Sequence, residues 1–486
     1  MKLIAPFLFA ALSTVASSTI KYKLTPEPDR KTVLVEITVE KAGEKPVFQL
    51  PTWCPGFYFL IKYEDKVSDF AATAADGSKL SFEKGKSEWT VKNPGKGAVT
   101  VKYRVKGDDA GLGFFGTNVR DDKAFVNGPS AFMYVAGRKE EKTELQVSLP
   151  KGWDIATGSE SKDGVYTASG YDELADHPIQ MGAFERRQFK VEGIPFEAIW
   201  VATNNTFNPD LDAETEILRK VSIPAIKLFG SAPFKHYTYI FHLAIGNFGG
   251  GLEHRASTVI AIPNSRQLGL DDLAAHEYFH AWNVKQIRPA NLGPFDYMNI
   301  TRTANLWFSE GVTDYYAKMT TYRSGCQEKA WLFRELSGQV QEIQGARGRL
   351  GITLADVSRR AWENGGFGVN GVSYYTKGLL VGWIFDAVIR SETKGKKSLD
   401  DVMRLLYKKY ALPKPGFAED GLMLAISEVA GKDLSALYQR MVNSTQELPY
   451  DLLNWIGLNV DANGNVGELG RPTDEQRARL AEWLSR

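Results

Sequence analysis

The spacing of hydrophobic and polar positions divides the chain into a strand-like part and a helical part. In residues 98–105 and 145–149, and from Val35 onward in the run 32–40, apolar and polar residues alternate, and Gly, Pro, Asn and Asp separate the runs. A period of two is typical of strands that bury one face. Residues 19–195 are therefore predicted to form a domain of short antiparallel strands.

Two more strand-like runs, 236–243 and 257–262, precede a change of pattern. From Asp271 onward, residues at three- and four-residue spacing share one face, which predicts a helix. Further helices are predicted at 306–320, 328–346, 376–392, 398–410 and 418–443.

This order of elements predicts an α+β multidomain fold. An N-terminal antiparallel β domain covers 19–195, an α+β catalytic domain covers 196–345, and a helical C-terminal domain covers 346–486. With 486 residues, of which 43% are hydrophobic and 24% charged, the chain can bury several cores. The net charge is +1 and no long basic run occurs, which argues against nucleic-acid binding.

The first 18 residues have the pattern of a secretory leader. Lys2 is followed by an apolar run through Leu12 and then by small residues, as in a signal peptide. The run is shorter than the about 20 apolar residues that span a bilayer, and no later segment is apolar enough. We predict a signal peptide at 1–18, export to the periplasm or the medium, and no membrane span. A buried N-terminal strand or helix is the alternative.

The sequence His276-Glu277-Tyr278-Phe279-His280 has the spacing of a metal site. Positions i and i+4 of a helix lie on one face, so both imidazoles can bind one ion. Glu277 then lies close enough to take a proton from a water molecule at that ion, which is the chemistry of the His-Glu-x-x-His pattern. A pair of structural histidines is the alternative interpretation.

A third ligand is expected, because catalytic zinc usually takes three protein ligands. No third His follows the motif at short range. Glu310 is the candidate, since it lies in a predicted helix among apolar residues, where an unpaired carboxylate is costly. Asp314 lies one turn further and suits the carboxylate that accepts the other N–H of a zinc-bound His. A solvated helix face is the alternative for both acids.

These residues resemble the M61 (glycyl aminopeptidase) family of metallopeptidases. The segments that carry the resemblance are 171–178, 249–254, 276–289, 307–316 and 447–450. It extends over nearly all of the chain after the leader. The family is similar to the aminopeptidase N family, which implies a β domain, a thermolysin-like catalytic domain at 196–345 and one Zn2+ per chain.

The resemblance also implies substrate-binding residues. In the aminopeptidase N family a Gly-x-Met-Glu-Asn segment lies along the substrate, and its Glu holds the free α-amine. Gly250, Gly251 and Glu253 resemble that segment. A Tyr-x-Lys-Gly pattern is similar to 375–378 and implies that Tyr375, with Tyr374 as the fallback, donates to the oxyanion. A Gly-rich turn and a packed core aromatic are the alternatives.

Three features depart from the family pattern. Family members commonly carry a PDZ-like domain after the helical part, and none is expected in these 486 residues. Gln286 stands where a basic residue is usual, and Cys54 and Phe57 also differ from the usual residues. Cys54 and Cys326, the two cysteines of the chain, are expected to be free thiols.

These features predict a zinc-dependent aminopeptidase of the gluzincin type, which hydrolyses peptides with zinc-activated water. The expected partners are peptides with a free N-terminus, and family likeness implies a small first residue such as Gly or Ala. A zinc endopeptidase of the same fold is one alternative. A non-catalytic periplasmic binding protein with structural zinc is another. The oligomeric state is left open.

Overall fold

The computed structural model describes residues 19–108, 113–244, 249–363 and 368–485. The predicted signal peptide at 1–18 lies outside these residues. Within the described ranges, no helix combines the length and the apolar character needed to cross a membrane. Cys54 and Cys326 are free thiols, as predicted.

The strands are β1 (Ile20–Glu27), β2 (Thr32–Val39), β3 (Val47–Gln49), β4 (Val67–Ala74), β5 (Lys79–Leu80), β6 (Phe82–Lys84), β7 (Glu88–Val91), β8 (Val99–Lys106), β9 (Thr117–Val119), β10 (Lys123–Val126), β11 (Tyr134–Val135), β12 (Thr143–Val147), β13 (Asp154–Thr157), β14 (Ser161–Lys162), β15 (Val165–Ala168), β16 (Ile179–Gly182), β17 (Glu185–Val191), β18 (Ile194–Ala202), β19 (Tyr237–Ala244), β20 (Gly250–Glu253), β21 (Ser257–Pro263), β22 (Leu458–Val460) and β23 (Val466–Glu468). The α-helices are α1 (Gly128–Ala131), α2 (Tyr171–Ala175), α3 (Leu211–Phe229), α4 (Leu270–Phe279), α5 (Thr313–Arg323), α6 (Lys329–Gly345), α7 (Leu354–Arg359), α8 (Tyr374–Glu392), α9 (Leu399–Tyr410), α10 (Gly421–Ala430), α11 (Ser435–Val442) and α12 (Asp474–Ser485).

The N-terminal part consists of three β-sheets around a shared core. The largest sheet has the order β14-β15-β12-β1-β2-β8-β4-β5, and the smaller sheets are β13-β16-β10-β9 and β11-β3-β7-β6. The alternation in β2 buries Val33, Val35, Ile37 and Val39 completely. A β-rich N-terminal domain is thereby confirmed, with one departure: β1 pairs with β12 in parallel. These two strands are far apart in sequence, so the chain has room to return in the same direction.

A separate five-stranded sheet lies in the predicted catalytic domain, in the order β17-β18-β19-β21-β20. The pairs β18–β19 and β19–β21 are parallel, while β20 is an antiparallel edge strand. β19 is buried along nearly its whole length, as parallel strands covered on both faces are. β17 pairs with β18, so this sheet begins before the expected domain boundary at residue 195.

The rest of the chain is mainly helical, with the short strand pair β22–β23 near its end, and α8 lies at the centre of the helices. Nearly every residue of α8 from Tyr374 to Arg390 is buried. The region predicted as one helix at 418–443 is two helices, α10 and α11. α10 ends at Gly431, whose φ of 65° is the left-handed conformation that commonly terminates helices.

Candidate active site

α4 places His276 and His280 one turn apart, and both side chains are buried. The helix begins after Gly269, and its first turn holds Asp271 and Asp272. Negative charge at this end is favourable because the helix dipole is positive there. The Nε2 atoms of the two histidines face each other at 3.0 Å.

The Nδ1 atoms of both histidines point away from this contact. Nδ1 of His280 lies 2.6 Å from the carbonyl oxygen of Asn283, and Nδ1 of His276 lies 2.7 Å from a carboxylate oxygen of Asp314. A carbonyl oxygen only accepts, so Nδ1 of His280 carries the proton and donates it. In the neutral ring, Nε2 then presents a lone pair. The Asn283 amide in turn donates to the Phe308 carbonyl at 3.0 Å, which ties this loop to the next helix.

The predicted helix at 306–320 differs in its first turns from a regular α-helix. Residues Trp307–Val312 form a π-helical turn that continues into α5. The turn packs closely on α8, where a Cβ on Gly311 would lie 2.5 Å from Cα of Gly378. π-Helical turns occur often at functional sites, and this one carries Glu310.

Glu310 completes a convergent set of three donor groups. Its Oε2 atom lies 3.2 Å from Nε2 of His280 and 3.5 Å from Nε2 of His276. Burial opposes ionisation of Glu310, but the two histidines outweigh it and lower the pKa of this carboxyl to about 2. Burial opposes protonation of His276, but Asp314 and Glu310 raise its pKa well above the usual value. The site therefore favours positive charge at its centre.

This donor set fits a divalent zinc ion. When ligand atoms lie about 2.0–2.1 Å from a zinc ion in tetrahedral geometry, they lie about 3.4 Å from one another. The three distances between ligand atoms here, 3.0, 3.2 and 3.5 Å, are close to that value. Two Nε2 protons could not face each other at 3.0 Å without repulsion, whereas two lone pairs and a carboxylate can share a cation. Of the residues that the structure describes, Glu253, Glu277 and His280 form a second such group.

Glu277 is held against the edge strand β20. A Cβ on Gly251 would lie 2.3 Å from Cδ and 2.4 Å from Oε1 of Glu277, so only glycine permits this approach. Burial raises the pKa of Glu277 to about 7, against the opposing effect of the two histidines. Gly250 is the first residue of β20 and pairs with Ala261. The two glycines thus lie on the strand beside Glu277.

Glu253, the last residue of β20, is buried beside a loop of the N-terminal part. A Cβ on Gly56 would lie 2.6 Å from Oε2 of Glu253. On its other side, Nζ of Lys285 lies 3.6 Å from Oε1 of Glu253 and 2.9 Å from Asp176. Nδ1 of His254 is also 3.1 Å from Asp176. No role for Lys285 was evident in the sequence, because its partner Asp176 lies 109 positions away.

Tyr375 lies beside His276, and Tyr374 packs against Tyr375. The Tyr375 ring is 6.0 Å from the His276 ring at 30°, and the two tyrosine rings are 4.9 Å apart. Burial and the negative charge of Glu310 raise the pKa of both phenols well above the usual value. Of the two candidates for the oxyanion donor, Tyr375 is thus the one whose ring lies next to a ligand residue.

Tyr58 is a site residue that the sequence did not reveal. Its ring packs edge-on against Trp362 at 5.6 Å. Burial raises its pKa well above the usual value, and the negative charges of Glu310 and Glu253 raise it further. Tyr58 lines the same cavity as Gly56 and Glu253. The one feature of the sequence that could have indicated Tyr58 is its position two residues after Gly56, in the loop that departs from the family pattern.

Two family models match the chain. Residues 21–183 match the Peptidase M61 N-terminal domain, and residues 270–381 match the M61 glycyl aminopeptidase model. Together they cover more than half of the chain. No curated protein matches it.

Several solved structures are similar to this one. An aminopeptidase N family protein from Idiomarina loihiensis has a TM-score of 0.83 and 26% identity, over 93% of this chain and 82% of that one. An M1 zinc metallopeptidase from Deinococcus radiodurans has a TM-score of 0.55 and 13% identity, over 89% of this chain and 95% of that one. A mutant of that organism's M1 zinc metallopeptidase, bound to a Tyr-Ser-Ala substrate, has a TM-score of 0.54 and 14% identity, over 89% and 95%. The two M1 structures show likeness of fold alone.

The architecture is that of a peptidase with a β-rich N-terminal domain and a helical C-terminal part. The chain belongs to the M61 family of metallopeptidases, since both matched models carry that family's name. The predicted family and fold class are therefore confirmed.

Proposed function

We propose that this chain is a zinc-dependent aminopeptidase that removes single N-terminal residues, with a preference for Gly or Ala. The observation that carries the proposal is the convergence of three ligand atoms within 3.5 Å beside the buried Glu277. The likeness to the aminopeptidase N family protein from Idiomarina loihiensis supports it. The peptide bound to the M1 mutant gives a precedent for the substrate class.

The proposed roles follow from position. A zinc ion held by His276, His280 and Glu310 would polarise the substrate carbonyl and lower the pKa of water. Glu277, pressed against β20, accepts the proton of the attacking water and passes it to the leaving amine. Tyr375 donates a hydrogen bond to the developing oxyanion, an interaction worth about 3–4 kcal/mol in comparable sites.

Asp314 has a positioning role. Its carboxylate holds Nδ1 of His276 at 2.7 Å, which fixes the ring with Nε2 toward Glu310. Such a partner also raises the basicity of the imidazole.

The end of the site at Glu253 favours an aminopeptidase over an endopeptidase. A buried carboxylate can hold the substrate ammonium by charge-assisted hydrogen bonds. Gly56 and Tyr58 cover the same region from the N-terminal part, whereas an endopeptidase needs an open groove for further residues. Tyr58 also lines the cavity beside Glu253, which supports the preference for a small first residue.

The decisive experiment compares alanine and N-acetylalanine substrates with the same leaving group, on zinc-loaded and chelated protein. We expect hydrolysis of the free amine only, abolished by chelation and restored by zinc. Glu277→Gln should keep zinc and lose most turnover. Glu253→Gln should weaken cleavage of the free amine and leave any cleavage of the blocked substrate unchanged. Equal cleavage of both substrates would favour the zinc endopeptidase, and zinc binding without any hydrolysis would favour a binding protein.

Export is a further part of the proposal, and it rests on the pattern of residues 1–18. Expression of the full chain in a Gram-negative host should yield a protein in the periplasm whose N-terminus is near residue 19. A cytoplasmic protein that retains Met1 would contradict it.

A further inference from the structure

The buried carboxylate of Glu253 lies beside an ion-pair network that the proposed mechanism does not use. Among the described residues, no group donates a hydrogen bond to this carboxylate, and Lys285 is the one cation within 4.0 Å of it. Nζ of Lys285 lies 3.6 Å from Oε1 of Glu253. The carboxylate is thus free to accept hydrogen bonds from the ammonium group of a substrate.

Lys285 carries the same chemical group that the N-terminus of a substrate would bring. Burial opposes its protonation, but the charges of Asp176 and Glu253 outweigh burial and raise its pKa, so Lys285 is an ammonium ion. Its Nζ lies 2.9 Å from Asp176 and 3.6 Å from Glu253, so a shift of about 0.7 Å would give Glu253 the hydrogen bond instead. The three side chains line one cavity of about 20 Å³, which leaves room for that shift. Lys285 can therefore compete with a substrate for Glu253.

Asp176 holds this ammonium group in its present position. It follows α2 in the N-terminal part, and its Oδ1 accepts the hydrogen bond from Lys285. Two further donors fix the carboxylate: Nδ1 of His254 lies 3.1 Å from Oδ1, and the backbone N–H of Arg255 lies 3.2 Å from Oδ2. Burial opposes ionisation of Asp176, but Lys285 and His254 outweigh it and keep its pKa below the usual range. Asp176 is therefore a charged acceptor with a fixed orientation.

No other cation of the network takes the place of Lys285 among the described residues. The guanidinium of Arg255 lies 3.7 Å from Asp176 and 4.0 Å from Glu173, both beyond hydrogen-bond distance. The backbone N–H of Lys285 donates to the carbonyl oxygen of His280 at 3.1 Å, which keeps the lysine close to the metal-binding helix. Lys285 is thus the cation that Asp176 and Glu253 share.

We infer that Asp176 is a positioning residue for the amine site: it retains the ammonium group of Lys285 and thereby leaves Glu253 free for the substrate. Without the negative charge of Asp176, Glu253 is the one carboxylate among the described residues that remains within 4.0 Å of Lys285. The lysine would then occupy the place of the substrate ammonium. This inference rests on the proposed function, since it assumes that Glu253 binds the substrate amine.

The test is the steady-state kinetics of Asp176→Asn with an alanine substrate. The released Lys285 should raise KM by about tenfold or more, the size of one hydrogen bond to a charged group, while kcat changes much less. Adding Lys285→Gln to this variant removes the competing ammonium and should return KM to near the wild-type value. A merely structural role predicts no such recovery, because the second substitution removes one more buried contact.

The control is Asp154→Asn, which removes an exposed acid of the N-terminal part that lies 3.0 Å from Arg186. It should leave KM unchanged. An unchanged KM in Asp176→Asn, or a raised KM that Lys285→Gln does not lower, would overturn the inference.

Two further measurements cover a poorly folded variant and an inactive protein. Lys285→Gln alone keeps the other two donors to Asp176 and should give a KM at or below the wild-type value; a higher KM would count against the inference. A crystal structure of Asp176→Asn should show Nζ of Lys285 within about 3.2 Å of Glu253, and an Nζ that stays at position 176 would refute the inference without any assay. Absence of all hydrolysis by the wild type would instead refute the proposed function.

Discussion

Gly251→Ala is the sharpest test of the proposed role of Glu277. The added methyl group would lie 2.3 Å from Cδ of Glu277, whereas ordinary contacts begin near 3.4 Å. Glu277 must therefore move by about 1.1 Å, or β20 must move away from α4. Both elements are held in place, since β20 pairs along its length with β21 and α4 is buried.

A displacement of about 1 Å at a reacting group typically costs about 10²-fold in rate. That loss corresponds to about 2.7 kcal/mol of activation free energy. The three atoms nearest to the new methyl all belong to Glu277, so zinc content should be unchanged. kcat should fall about 100-fold while zinc stoichiometry stays at one, measured by hydrolysis of an alanine substrate and by metal analysis.

The same segment supplies a matched control. A Cβ on Gly249 would meet nothing within 4 Å, so Gly249→Ala adds the same methyl group two residues away without a clash. It should retain nearly full activity. The reasoning would be refuted by Gly251→Ala retaining wild-type kcat, or by both variants losing the same amount.

Three further predictions concern the metal, the specificity and the pH response. Glu310→Ala should weaken zinc binding by at least about tenfold in competition with a chelator, because two imidazoles alone make a poor site; unchanged affinity would exclude Glu310 as a ligand. Tyr58→Ala should raise kcat/KM for leucine over alanine substrates by about tenfold or more, since a methylene group is worth about 1–3 kcal/mol in a pocket; an unchanged ratio would remove Tyr58 from the first-residue pocket. His177 is buried, with Nδ1 unpartnered among the described residues, and burial lowers its pKa to about 4. The unfolded chain binds a proton near pH 6.5 and the folded chain does not, so stability should fall by about 3 kcal/mol as pH decreases from 6.5 to 4. In His177→Gln, the free energy of unfolding measured with denaturant should change little between pH 6.5 and pH 4. The same pH dependence as in the wild type would contradict the assignment of this loss to His177.

The local part of the site could be predicted from the sequence. The pairing of His276 with His280 follows from helix geometry alone, and Glu277 follows from the same motif. Glu310 and Asp314 could be proposed because carboxylates in an apolar helical run are costly unless a cation or a hydrogen-bond donor compensates them. The structure brings all five residues together. The ligand atoms of His276, His280 and Glu310 lie within 3.5 Å of one another.

The rest depends on contacts between distant segments. The π-helical turn around Glu310 accompanies the close approach of Gly311 and Gly378, and no local pattern reports that approach. The pairing of Lys285 with Asp176 likewise joins segments 109 residues apart. The break in the predicted helix 418–443 was visible in principle, because Gly431 is a common helix terminator.

The loop that holds Gly56 and Tyr58 is anchored to the other half of the molecule. Nε1 of Trp53 donates to the carbonyl oxygen of Asp296 at 2.9 Å, and the N–H of Thr52 donates to Tyr297 at 2.9 Å. The residues proposed to limit cleavage to the first residue of a peptide, Gly56, Tyr58 and Glu253, thus come from segments some 200 positions apart. Under the proposed function, cleavage one residue from the N-terminus therefore requires that the loop of the N-terminal part is packed against the catalytic part.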